Sequence, residues 1–155
     1  MENQRKLRDA SIALLILGIA ELFKFFSSVI AGLVDGSISA EIAKADPSIV
    51  LVVKIRLGFV FALMAFLVFA DVLLAIKGLK VSKNPTADKG YIIVAKVFIV
   101  LTSIAIICNA ISVFTSGSPI VAGVNTASTV LSVCIYSLFT EAAGAVRKDV
   151  LAGNQ

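Results

Sequence analysis

The 155-residue chain has no histidine and no tryptophan, and it holds only two cysteines and three prolines. Without histidine it lacks the commonest metal ligand and the commonest general base. Haem, zinc and histidine-based triad chemistry are therefore not expected, and neither a metal nor another cofactor is called for. Cys108 and Cys134 lie inside apolar runs with no CxxC or other metal-type spacing. Helical rise sets their depths roughly 10 Å apart, too far for a disulfide, so both are expected to be packing residues. There is also no acid pair at useful spacing, no GxSxG and no phosphate-cradling glycine loop. The expectation is that the protein is not an enzyme.

Charge is scarce as well. Charged residues make up 15% of the chain and apolar residues 59%, whereas a soluble domain carries about 25% and about 45–50%. Mean hydropathy is +1.01. A globule this small has too little interior to hide that much apolar surface from water. The expected solvent is a lipid bilayer. Net charge is +4, but the basic residues sit at the ends of apolar runs instead of forming a stripe with interleaved aromatics. That placement argues for membrane topology and against nucleic acid.

What is present are long apolar runs separated by short polar segments. They predict an all-α, polytopic membrane protein with four transmembrane helices in one membrane domain over residues 1–155. The helices are expected at about 8–34, 47–80, 91–115 and 119–146. The first run continues well beyond the roughly 7–15 apolar residues of a signal peptide, and Glu21 and Lys24 interrupt it, so a retained helix is expected. Asp46-Pro47 and Ser118-Pro119 read as a cap followed by a proline at the first helical position. The span Leu57–Ile76 has 20 residues, the length that crosses about 30 Å of hydrocarbon.

Lysine and arginine predict orientation. Arg5, Lys6 and Arg8 precede the first helix; Lys77, Lys80, Lys83 and Lys89 surround the loop between the second and third; Arg147 and Lys148 follow the fourth. The other side has Lys44 in its first loop and no charge in its second, with Lys54 and Arg56 on a projecting helix end. The positive-inside rule then puts both termini in the cytoplasm, most simply at the cytoplasmic (plasma) membrane.

Arg56, Lys77 and Lys96 lie near helix ends and can snorkel to the headgroups. Glu21, Lys24 and Asp71 lie deep, where an isolated charge costs about 2.5 to 3.5 kcal/mol on insertion scales. Glu21 and Lys24 are three residues apart and can pair on one face. Gly18, Glu21, Phe25, Ser28 and Gly32, with Ser11 before them, form a small-and-polar stripe expected to face other helices. Asp71, Lys96 and Glu141 are expected to form a second cluster, with an Asp71–Lys96 pair across helices. Thr102, Ala105, Asn109, Ser112 and Ser116 on the third helix, and Asn125, Thr129, Ser132 and Tyr136 on the fourth, make secondary polar faces. Cys134, Ser137, Glu141 and Gly144 make a further stripe on the fourth. Interhelical hydrogen bonds are the simplest role for these faces; a hydrated crevice is the alternative.

Two further patterns stand out. Phe69-Ala70-Asp71 recurs as Phe139-Thr140-Glu141, and Ala75-Ile76-Lys77 as Ala145-Val146-Arg147, both at an offset of 70. This could mark a two-plus-two repeat or a coincidence of a small apolar alphabet. Four short spans with a buried acid in the first, carried here by Ile19-Ala20-Glu21 and Leu22-Phe23-Lys24, resemble the small multidrug resistance antiporters. The resemblance implies that Glu21 binds the proton or cation. The chain departs from that pattern in its greater length, in Lys24 beside the acid, in lacking tryptophan and in its long second helix.

Two function classes follow. One is a non-catalytic structural, assembly or complex-subunit module that forms a homo-oligomer or joins a larger membrane complex; paired opposite charges and small-residue stripes favour it. The other is a small proton- or ion-coupled transporter or channel module built on Glu21.

Overall fold

The computed structural model describes residues 1–34, 36, 50–115 and 119–153. Four helices run in order: α1 Glu2–Val34, α2 Val50–Lys83, α3 Gly90–Thr115 and α4 Pro119–Gly153, with no strand among the described residues. All four are long and apolar enough to cross a membrane. The expected helix starts and loop signals at 35 and 37–49 lie outside the described residues, as do 116–118.

Helix ends differ from expectation where charges extend them. α1 begins at Glu2 because its polar first turns are tied by i,i+4 pairs. Lys6 Nζ stands 2.8 Å from Glu2 and Arg5 Nε 4.0 Å from Asp9. α2 continues to Lys83, with Lys80 and Lys83 complementing the negative C-terminal end of its dipole. α4 continues to Gly153, past the expected residue 146.

The described residues form two compact units, Met1–Leu15 with Leu73–Gln155, and Ile16–Val72. In the first, α3 and α4 pack together. Phe98 stacks on Tyr136 at 5.6 Å between ring centres, and Tyr91 meets Phe139 edge-on at 6.1 Å. Rising numbers on one helix pair with falling numbers on the other, so the two run antiparallel. Gly78 of α2 marks the tightest crossing. A Cβ there would collide with Ser11 Oγ of α1 and stand 2.5 Å from the Phe139 ring of α4. Ser11 and Phe139 are fully buried, so glycine at 78 is what lets three helices converge.

One end of this unit gathers three distant stretches of sequence. The Asn3 side-chain amide donates to Asp149 at 2.9 Å, and Arg147 Nε donates to the Ala87 carbonyl at 2.9 Å. Lys77 Nζ lies 3.4 Å from Asp88, whose other oxygen accepts from the Gly90 amide at 2.9 Å and caps α3. The N-terminal residues, the α2–α3 loop and the last turns of α4 thus share one end.

Buried positions alternate by three and four. They are Leu7, Ser11, Leu14 and Gly18 on α1, and Val68, Asp71, Ala75 and Gly78 on α2. The series continues with Tyr91, Ala95 and Phe98 on α3, and with Ser132, Tyr136, Phe139, Ala143 and Val146 on α4. The opposite faces are equally apolar. On α1, Ile12, Ile16, Ile19, Phe23, Phe26 and Ile30 form an exposed stripe with the same spacing. A helix meeting water would carry polar groups there.

Three structural details bear on the sequence expectations. The hydroxyls of Ser11, Thr102 and Ser103 donate to carbonyls of their own helices at 2.7 Å, and Ser82 and Thr140 do the same at 2.8 and 2.9 Å. These bonds are local, because the i−3 and i−4 carbonyls are within reach at no cost in helix separation. Cys108 and Cys134 form no disulfide and lie on exposed faces and not in the core; a small, weakly polar thiol suits an apolar face as readily as an interior. The residues related by the 70-residue offset occupy opposite environments. Phe69 is 61% exposed and Phe139 fully buried, while Asp71 is buried and Glu141 exposed.

Candidate functional site

The unit Ile16–Val72 brings one stretch of α1 against one stretch of α2. Gly18 is the point of approach: a Cβ built on it would lie 3.2 Å from Asp71 Cβ and 3.6 Å from Val72 Cγ2. Two turns further along α1, Phe25 meets Phe61 edge-on at 5.8 Å. Between these contacts sits Glu21, three residues after Gly18 on the same stripe. Its carboxyl group neighbours the Asp71 carboxyl closely enough for the two to interact. Asp71 is only 2% exposed and Glu21 is half-buried.

Two acids therefore face each other on apolar helices. The sequence pattern expects Glu21 beside Lys24 and Asp71 beside Lys96; the structure adds an interaction between the two acids themselves. Lys24 is exposed on α1 and Lys96 is exposed on α3. Glu141 is exposed on α4, close enough to Lys6 to feel its charge. It lines a groove of about 550 Å³ with Asn3, Lys6, Asp9, Ala10, Ala13, Leu138, Ala142 and Ala145. The secondary polar positions Asn109 and Asn125 belong to α3 and α4, and their side chains lie outside the described ones. Ser132 and Tyr136 of the same α4 face are buried; Ser137 and Glu141 of the other α4 stripe are exposed.

The chemistry available to the Glu21–Asp71 pair is narrow. An ionised carboxylate only accepts hydrogen bonds, so a bond between two carboxyl groups needs a proton on one of them. Two carboxylates this close repel strongly unless a proton or a cation sits with them. The pair can hold a proton, exchange it for a cation, or release it when the helices move. No group of three or more His, Cys, Asp or Glu side chains that could hold a metal ion occurs among the described residues.

Both acids stand out in the sequence, but their partnership does not. The signal was Gly18. A glycine one turn from an acid on a packing stripe marks where a neighbouring helix comes closest, and the residue opposite that glycine is the one the acid can reach. No protein-family model matches the chain, and no curated protein or solved structure matches it either, so no activity carries over from a relative.

Proposed function

We propose that the protein is a four-helix integral membrane module, with both termini cytoplasmic, whose functional element is the Glu21–Asp71 carboxyl pair acting as a proton- or cation-binding site. The membrane placement is supported by apolar side chains that face outward along all four helices. The orientation is supported by the meeting of the N-terminal residues, the basic α2–α3 loop and the basic end of α4 at one end. Alkaline extraction and the protease sensitivity of tags at each terminus test both statements. Release by carbonate, or a terminus exposed outside intact cells, goes against them.

The observation that carries the functional reading is the like-charged pairing itself. Opposite charges that neutralise one another are sufficient as helix glue. Two acids brought together across helices hold best with a proton or cation beside them, which lets helix packing respond to that ion. Such dependence is what coupled transport requires: ion binding on one side of an equilibrium between helix arrangements. The test is flux in proteoliposomes under an imposed pH gradient, over a panel of inorganic cations and small solutes. Ion-driven flux is expected from the native protein and a loss of at least about tenfold from Glu21→Gln, a factor that corresponds to roughly 1.4 kcal/mol. Flux unchanged by Glu21→Gln removes the site from the mechanism.

A second reading is a non-catalytic structural, assembly or complex-subunit module. Its supporting observation is the breadth of the apolar faces, which suit a second copy or a partner helix as well as lipid. Absence of flux across the panel, with a stable oligomer or co-purifying membrane partner, favours it.

A further inference from the structure

We propose a second site, at the α2–α3 loop, that binds the phosphate of an anionic phospholipid. Lys77, Lys80, Val81 and Asn84 follow one another by three, one and three residues on a single face at the end of α2. Thr86 comes back from the loop to close the space, and the five residues line a cavity of about 420 Å³. That volume falls within the range of small-ligand sites. Its polar groups are two ammonium groups, a side-chain amide and a hydroxyl, all able to donate hydrogen bonds.

The cavity wall is held in place. The Asn84 amide donates to the Lys80 carbonyl at 2.9 Å, which carries the helical path to the edge of the loop. The Asp88 amide donates to Thr86 Oγ1 at 2.9 Å, so the Thr86 oxygen serves as acceptor here while its hydroxyl keeps the capacity to donate. Arg147 from α4 grips the Ala87 carbonyl at 2.9 Å, and Lys77 ties to Asp88 at 3.4 Å. The charged groups around the site are Lys77, Lys80, Arg147 and the acid Asp88, with Lys83 and Lys89 on the flanking turns. The balance favours an anion. A phosphate oxygen would take its bonds from Lys80, Asn84 and Thr86 while Lys77 stays shared with Asp88.

The choice of a lipid rests on the membrane reading above. The apolar span of α2 runs Phe61–Lys83, so Lys77 and Lys80 stand where hydrocarbon gives way to headgroups on the cytoplasmic side. Basic pockets at that level suit anionic headgroups.

The experiment uses the full chain, first shown to float with liposomes. In detergent, native mass spectrometry compares retention of phosphatidylglycerol and phosphatidylcholine. The native protein is expected to retain phosphatidylglycerol preferentially. Lys80→Gln should lower that retention about fivefold, the factor one lysine near a membrane surface contributes. Adding Asn84→Ala should lower it further. Lys83→Gln and Lys89→Gln remove the same charge outside the cavity and should change retention less than about twofold if the site is local, since diffuse attraction would weigh each lysine alike. Equal losses from all the lysine variants overturn the proposal, as does equal retention of the two lipids. Inorganic phosphate that binds with the same sensitivity to Lys80, while phosphatidylglycerol does not, overturns the lipid assignment. A chain that fails to float overturns this site together with the membrane reading; lipid indifference in a chain that floats overturns this site alone.

Discussion

Gly18 of α1 faces Asp71 of α2 so closely that a Cβ on the glycine would stand 3.2 Å from the Asp71 Cβ. This approach is what brings Glu21, one turn later, to the Asp71 carboxyl. A larger side chain at 18 should push the helices apart and separate the acids. Gly18→Leu is expected to cost about 1–3 kcal/mol, the usual price of overpacking, read as a lower midpoint of thermal unfolding in detergent. A variant as stable as the native protein would show that the helices do not meet there.

The two glycines Gly78 and Gly144 should respond in opposite directions. A methyl group at Gly78 meets Ser11 and the Phe139 ring, both fully buried, whereas at Gly144 it meets nothing within 4 Å. Gly78→Ala is expected to destabilise by about 1–3 kcal/mol. Gly144→Ala should stabilise α4 by up to about 1 kcal/mol through helix propensity. Denaturant titration of the two variants in the same detergent checks the contrast, and equal effects would contradict it.

Tyr91 presents a different case, because its hydroxyl is buried without a hydrogen-bond partner among the described residues. Its ring packs edge-on against Phe139. Leaving a buried polar group unsatisfied costs about 1–3 kcal/mol. Tyr91→Phe keeps the ring and removes that cost, so the unfolding midpoint should rise. A fall would mean that the hydroxyl has a partner that matters.

Asp88 should make the α2–α3 loop sensitive to acid. Hydrogen bonding from the Gly90 amide, followed by the Lys77 ammonium beside it, holds its carboxyl below the ordinary carboxylate value. A depressed acid contributes stability that is fully present above the unfolded value, near pH 4, and is lost as pH falls through the lower folded value. The loop should therefore stay protected at neutral pH and loosen below about pH 4. Amide exchange at Gly90, followed against pH, reads this directly. Asp88→Asn should exchange faster at neutral pH and lose most of that acid dependence.

Much of the architecture is legible in the residues. The lengths of the apolar runs are enough for four helices, because hydrocarbon thickness demands that length. The gathering of Arg147, Lys77 and Asn3 at one end agrees with where the basic residues lie in the sequence. The helix ends are less legible: α1 starts at Glu2 because of local Lys6–Glu2 and Arg5–Asp9 pairs, which hydropathy ignores. The facing of side chains is legible only in part. Cys134 and Ile16 face outward while Leu14 faces inward, so polarity does not separate inside from outside along these helices. The Glu21–Asp71 contact was hidden for another reason. Spacing along a helix shows which residues share its face, but the register between two helices is decided by close packing. Gly18 and Gly78 set that register, and charge alone does not point one acid to the other.

The most direct test of the carboxyl pair is a count of protons released on cation binding. Purified protein in weakly buffered detergent solution is challenged with a panel of inorganic and organic cations while a pH dye reports release. If Glu21 and Asp71 hold one proton between them, a cation that binds the pair should displace about one proton per chain at saturation. Glu21→Gln and Asp71→Asn should each release none. No release with any cation, or release that persists in both variants, would contradict the account.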